Sequence, residues 1–174
     1  MHPVIHVVLR LTGLSSFARA LRNGSPAMTR TLRQWAVRYR SFAQLRFDLF
    51  SRGGGNWPPL AESTIRRRRQ HTTTILRDTG TLFRALNPVL GNPGSFEQLE
   101  PMAVIVGFGG PGAHPSGTAT VADIAAFHNF GAPPNLPQRQ IIVEPPQAVI
   151  LLMSLDAERN IGMEAHQYTA QGHG

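Results

Sequence analysis

A long amphipathic segment places the strongest constraint on how this chain can fold. Between Ala27 and about Phe50, apolar side chains recur every three or four residues, which places them on one face of an α-helix. The members of this stripe are Met28, Leu32, Trp35, Tyr39, Phe42, Leu45 and Leu49. The arginines that lie largely off the stripe are Arg30, Arg33, Arg38 and Arg40. We therefore predict one long helix that packs into the core through its apolar face.

Shorter apolar patterns surround this helix. The β-branched run from Val4 to Leu11 predicts a strand, and the run from Met102 to Phe108 predicts a buried strand. A third strand is predicted from Gln140 to Val143. The remaining helices are predicted at residues 14–21, 61–70 and 121–130, around Leu82, Phe83 and Leu86, and from Gln147 to about Ala165.

Turn-forming residues separate these elements. Asp78 or Thr79 is the predicted cap of the helix around Leu82, and Gly131 is the predicted C-terminal cap of the helix over residues 121–130. Residues 109–120 predict a long exposed loop because they are rich in Gly, Pro, Ser and Thr. The prolines of residues 133–137 predict an extended segment.

The order of these elements predicts an α+β fold. We expect a small, mostly antiparallel sheet packed with a long N-terminal helix, short helices and a C-terminal helix. A length of 174 residues is typical of one domain. We therefore predict a single domain over residues 1–165 and a flexible C-terminal tail over residues 166–174.

The charge of the chain is divided unevenly along its length. Residues 1–86 hold 15 arginines against three acidic residues, whereas residues 87–174 hold two arginines against seven acidic residues. The chain has no lysine. A codon preference can explain the missing lysines but not the asymmetry. A basic half suits an acidic protein neighbour or a nucleic acid.

Motifs for chemistry are scarce. The chain has no cysteine, which excludes disulfides, zinc ribbons, iron–sulfur clusters and thiol catalysis. Residues 107–112 partly fit a dinucleotide-binding fingerprint, but Pro111 stands where its helix should begin. The seven histidines are scattered, and no Gly-x-Ser-x-Gly elbow is present. We therefore predict no enzymatic activity, no cofactor and no metal site. No apolar run approaches the length of a membrane helix, so no membrane partner is predicted.

Five unlike segments follow one another in a distinctive order. They are Trp57 to Leu60, Thr64 with Arg66, Arg67, Arg68 and Arg69, then Ile75 to Leu82, Ile124 to Gly131, and Leu136 to Ile142. This order resembles the virion-morphogenesis family, the tail-completion proteins of Mu-like phages, which are similar to neck proteins of other long-tailed phages. The resemblance covers about residues 11–159.

Two departures from the family pattern leave the exact position in the neck open. The family usually has Arg followed by Pro-Phe-Leu where this chain has Arg139 to Ile142, and a Tyr-Ala pair near Ala122. The resemblance implies a structural protein of the virion, assembled in the host cytoplasm, that forms a hexameric ring at the head–tail joint. Its expected partners are a connector or stopper protein on one face and a tail tube or terminator protein on the other.

Seven residues are candidates for contacts with such partners. They are Arg66, Arg67, Arg68, Arg69, Trp57, Arg139 and His114. Arg139 is expected to pair with an acidic side chain of the same chain or of a neighbouring one. Opposite charges on the two halves would let the basic part of one subunit face the acidic part of the next.

Two other functions compete with this interpretation. A sequence pI of about 11.5 and the arginine cluster are compatible with a nucleic-acid-binding protein, although no recognisable DNA-reading motif is present. Contact with packaged DNA is compatible with a neck ring as well. A minor tail or terminator subunit would differ from a neck protein only in location.

Overall fold

In a computed structural model, the residues that can be described form three strands and five helices. The structure describes residues 5–10, 25–68, 72–87, 93–109, 117 and 119–170. The elements are β1 (Ile5–Arg10), α1 (Pro26–Ser51), α2 (Glu62–Arg67), α3 (Thr81–Ala85), β2 (Ser95–Glu100), β3 (Ala103–Phe108), α4 (Val121–Phe130) and α5 (Gln147–Ala170). The strands form one antiparallel sheet in the order β1-β3-β2. The predicted α+β fold is confirmed.

The apolar run predicted as a buried strand is the central strand of the sheet. β3 is almost entirely buried, as its sequence Ala-Val-Ile-Val-Gly-Phe requires. β2 precedes it across a two-residue turn and was not predicted, because its polar residues form an exposed edge with no clear alternation. Gly107 allows the backbone of β1 to approach β3 closely, since a β-carbon there would overlap the carbonyl oxygen of Ile5.

The long helix predicted from the apolar stripe is confirmed as α1. Its first turn is capped by Ser25, whose Oγ accepts a hydrogen bond from the backbone N–H of Met28 at 3.1 Å. The stripe is buried through Tyr39, but the predicted burial of Leu45 and Leu49 is wrong, since Leu45 is 73% exposed. Each helical residue turns about 100°, so the buried face continues through positions 43 and 47 and leaves positions 45 and 49 on the opposite flank.

The chain separates into two compact units. Unit 1 comprises residues 1–7, 40–96 and 107–143, and unit 2 comprises residues 8–39, 97–106 and 144–174. The single domain inferred from the sequence stays a prediction.

In unit 2 the first half of α1 lies antiparallel to α5. Trp35 Nε1 donates to the carbonyl of Met153 at 2.7 Å, and Arg38 forms a two-bond ion pair with Asp156. Asn160 Nδ2 donates to Thr31 Oγ1 at 3.1 Å and to Gln34 Oε1 at 2.7 Å. Glu164 accepts the backbone N–H of Ala27 at 2.6 Å and so satisfies a free donor in the first turn of α1. These polar contacts fix the register of the two helices.

Several predicted boundaries change in the structure. The last helix continues to Ala170, so residues 166–170 are helical, and residues 171–174 lie outside the described residues. The predicted strand from Gln140 to Val143 is wrong, because that segment is irregular. The proline-rich segment is a tight turn closed by an antiparallel bridge between Ala132 and Leu136, not an extended segment. The predicted helix at residues 14–21 and most of the loop at residues 109–120 lie outside the described residues.

Candidate functional site

The five segments that carry the family resemblance border a single cleft in unit 1. The cleft has a volume of about 300 Å³ and open access to solvent. Each segment supplies at least one wall residue, for example Pro59, Thr64, Leu76, Ile124 and Arg139. Segments spread from residue 57 to residue 142 therefore form one site.

One wall begins at the buried Trp57. Its ring packs edge-on against Phe47 and Phe50, with ring centroids 5.3 and 5.6 Å away. Trp57 was a sequence candidate for a partner contact, and the structure places it in the core instead of on the surface. This aromatic cluster anchors the start of the Pro58-Pro59 segment to α1. The two prolines carry no N–H, so they present only carbonyl acceptors to their surroundings.

Arg139, about 80 residues later in the chain, completes the same wall of the cleft. Its side chain is only 3% exposed, and its Nη2 donates to the carbonyls of Pro58 at 3.0 Å and Pro59 at 3.4 Å. Nε donates to the carbonyl of Pro58 at 3.3 Å. Burial lowers the pKa of the Arg139 guanidinium, and the positive charge of Arg68 lowers it further. Among the described residues, Arg139 donates to backbone carbonyls and not to an acidic side chain, and its pairing with an acid of a neighbouring chain stays a prediction.

Helix α4 holds the segment that carries Arg139. The helix begins with a capping box between Thr120 and Asp123, and ends at Gly131 as predicted, with φ of 74°. Near its end, Asn129 Oδ1 accepts the backbone N–H groups of Ile141 at 2.9 Å and Ile142 at 3.0 Å. Those two donors are satisfied by a side chain, which is why the predicted strand does not form. The role of Asn129 could not be predicted from the sequence, since a single asparagine near the end of a helix is common.

Replacing Asn129 with leucine is expected to lower the free energy of unfolding by about 2–4 kcal/mol, because the buried N–H of Ile141 and the part-buried N–H of Ile142 lose their acceptor. Chemical denaturation followed by circular dichroism measures this change. The matched control is Asn135→Leu at an exposed position of the neighbouring turn, where about 0.5 kcal/mol or less is expected. Equal effects of the two substitutions would contradict the role given to Asn129.

The described arginines of the run at residues 66–69 lie in different surroundings. Arg66 and Arg67 are exposed on α2 and make local contacts with Glu62 and with the carbonyl of Ser63. Arg68 follows the helix in an extended conformation, lines the cleft, and donates to the carbonyls of Thr72 and Thr74. Burial lowers the pKa of Arg68, whereas the Asp78 carboxylate raises it. Arg69 and His114, the other candidates of this set, lie outside the described residues.

The segment from Ile75 to Leu82 is attached to the second half of α1. Arg77 forms an ion pair with Asp48 at 2.7 Å and lies 3.8 Å from the ring centre of Phe83. The residue that caps α3 is Gly80, with φ of 71°, and not Asp78 or Thr79 as predicted. Asp78 and Thr79 instead face the cleft, where they add polar groups to a largely apolar lining.

Helix α4 also presents two phenylalanines. Phe127 and Phe130 are exposed, whereas His128 on the same helix is half-buried and lines the cleft. Apolar walls that contain two guanidinium groups and one carboxylate suit the recognition of an apolar group with an acidic neighbour. The geometry resembles a docking site in which a few polar groups fix the orientation of an apolar ligand.

The described residues add two observations on other site classes. They contain no group of three or more His, Asp or Glu side chains that could hold a metal ion. No described helix is both long enough and apolar enough to cross a membrane. Comparison with known proteins finds no family profile, no curated protein and no solved structure that matches this chain.

Proposed function

We propose that this chain is a structural protein of the phage head–tail connector, or neck. In this function it assembles as a hexameric ring that completes the tail and joins it to the DNA-filled head. The observation that supports the proposal is the convergence of all five family-like segments on one cleft. Unrelated short similarities would be expected to scatter over the fold, whereas segments of one functional pattern are expected to meet.

The mechanism is assembly. A neck ring must match a connector or stopper on one face and a tail tube or terminator on the other, and such contacts use exposed side chains. Arg66 and Arg67 make contacts within α2 but remain exposed, so an acidic neighbour can approach them, while the acidic second half of the chain offers the opposite charge. In a head-to-tail ring these charges would alternate around the circle.

The test is electron microscopy of lysates from a producing strain that lacks this gene. We expect filled heads beside detached tails and a loss of infectious particles. A plasmid copy of the intact gene, the control, should restore joined virions. Normal infectious particles in the absence of the gene would contradict the proposal.

A nucleic-acid-binding protein is the second candidate, supported by the net charge of +7 and the exposed Arg66 and Arg67. Its distinguishing result is duplex binding that weakens steeply with salt, by a protein that is absent from finished virions. Weak DNA binding by a protein that is present in virions would fit the neck ring.

A further inference from the structure

Two surfaces of this chain have complementary properties, and neither is covered by the residues that the structure describes. One is the cleft of unit 1. The other is a group of exposed leucines on α5 of unit 2, here called the leucine ridge and formed by Leu151, Leu152 and Leu155.

The leucine ridge lies away from the packed side of its helix. Met153, Ala157, Asn160 and Ile161 are buried residues of α5, whereas Leu151 is 58% exposed and Leu155 is 51% exposed. Leu151 and Leu155 are four residues apart, so their side chains are neighbours on one helical face. Contiguous apolar side chains at this exposure are uncommon on a monomer and typically mark an interaction surface.

An acidic side chain extends the ridge. Glu158 is exposed and follows Leu155 by three residues, which places it on the same face one turn later. The other two carboxylates of α5, on Asp156 and Glu164, are engaged with Arg38 and with the N-terminus of α1. The exposed face of α5 therefore presents Leu151 and Leu155 in line with the Glu158 carboxylate, and the exposed Arg159 lies beside this row on the side of Leu152.

The cleft has the size and charge to receive this face. A cavity of about 150 Å³ holds one benzene-sized group, so a cleft of about 300 Å³ has room for two apolar side chains. Its lining contains Arg68 and Arg139 against the single carboxylate of Asp78. One positive charge is therefore in excess in the lining, and an incoming carboxylate would balance it.

We propose that the cleft of one copy receives the leucine ridge of a second copy, with Glu158 nearest to Arg68. Each copy offers one cleft and one ridge, so the contact is heterologous and can repeat head to tail until a ring closes. Apolar walls favour this occupant over nucleic acid, whose phosphates need a solvated basic surface. The inference rests on the proposed ring and names the contact that builds it.

The first experiment measures the mass of the purified full-length protein by light scattering. Thr64→Trp fills the cleft, and the double variant Leu151→Ser/Leu155→Ser removes the ridge. Each variant alone is expected to associate at least about tenfold more weakly than the original chain. A mixture of the two retains one intact cleft and one intact ridge, so it should form 1:1 dimers and nothing larger. The matched controls are Ser63→Trp, beside the cleft on α2, and Leu45→Ser, an exposed leucine of α1.

The second experiment does not depend on how the bulky variant folds. Because the chain has no cysteine, single introduced cysteines report contacts directly. Mixing Thr64→Cys with Leu155→Cys under mild oxidation is expected to give disulfide-linked heterodimers in clear excess over a mixture of Thr64→Cys with Leu45→Cys.

Equal yields in the two mixtures would overturn the inference, and so would larger assemblies in the mixture of blocked variants. Either result combined with detached tails in the deletion strain would leave the neck function standing and remove only this interface. Joined virions in the deletion strain would remove the function itself.

Discussion

Replacing Gly107 with alanine is expected to lower the free energy of unfolding by at least about 3 kcal/mol. A β-carbon at this position would overlap the carbonyl oxygen of Ile5 and lie 2.6 Å from the α-carbon of His6. Both neighbours belong to the backbone of the adjacent strand, so no side chain can rotate away to relieve the overlap. β1 must move off β3, which breaks hydrogen bonds of the central strand.

Urea denaturation monitored by circular dichroism checks this expectation. Gly162→Ala is the matched control, because a β-carbon at that helical position meets no atom within 4 Å. There the same substitution should raise stability by roughly 0.5–1 kcal/mol through helix propensity. Similar midpoints for the two variants would show that the close approach of the strands is not the constraint.

Arg139→Met is the second large effect, with an expected loss of about 2–4 kcal/mol. Methionine fills part of the same space but donates no hydrogen bond, so the carbonyls of Pro58 and Pro59 lose the donor that Arg139 supplies. Removing a desolvated charge offsets part of this loss. The Pro58-Pro59 segment would also no longer be held in the wall of the cleft. We therefore expect weaker self-association as well as a lower free energy of unfolding.

Two further variants separate these contributions. Arg139→Lys keeps the charge but lacks the planar fork that reaches two carbonyls, so it should fall between the original chain and the methionine variant. Arg33→Met, at an exposed position of α1, should change stability by about 0.5 kcal/mol or less. A lysine variant as stable as the original chain would contradict a geometric role for the guanidinium.

Periodic patterns made most of the fold predictable. The repeat of α1, the apolar run of β3 and the cap of α4 at Gly131 depend on neighbours in the sequence, and those elements are confirmed. β2 lacks such a pattern, because the edge strand of a sheet needs few apolar residues. The exposure of Leu45 follows from a small angular drift along a long helix, which a spacing rule of three or four cannot resolve.

The site was predictable only in its parts. All five segments were visible in the sequence, but their meeting point depends on single polar atoms, such as Asn129 Oδ1 binding two distant N–H groups. A single polar side chain does not produce a repeating pattern in the sequence from which its contact could be predicted. The same is true of Arg139, whose acceptors lie about 80 residues earlier in the chain.

The contact between Arg139 and the two prolines has a consequence for how the molecule responds to acid. Carbonyl oxygens do not titrate, and a guanidinium keeps its proton in neutral and acidic solution. An ion pair between a guanidinium and a carboxylate loses its attraction once the carboxylate is protonated. The wall of the cleft should therefore stay closed at acidities that loosen the salt-bridged parts of the fold.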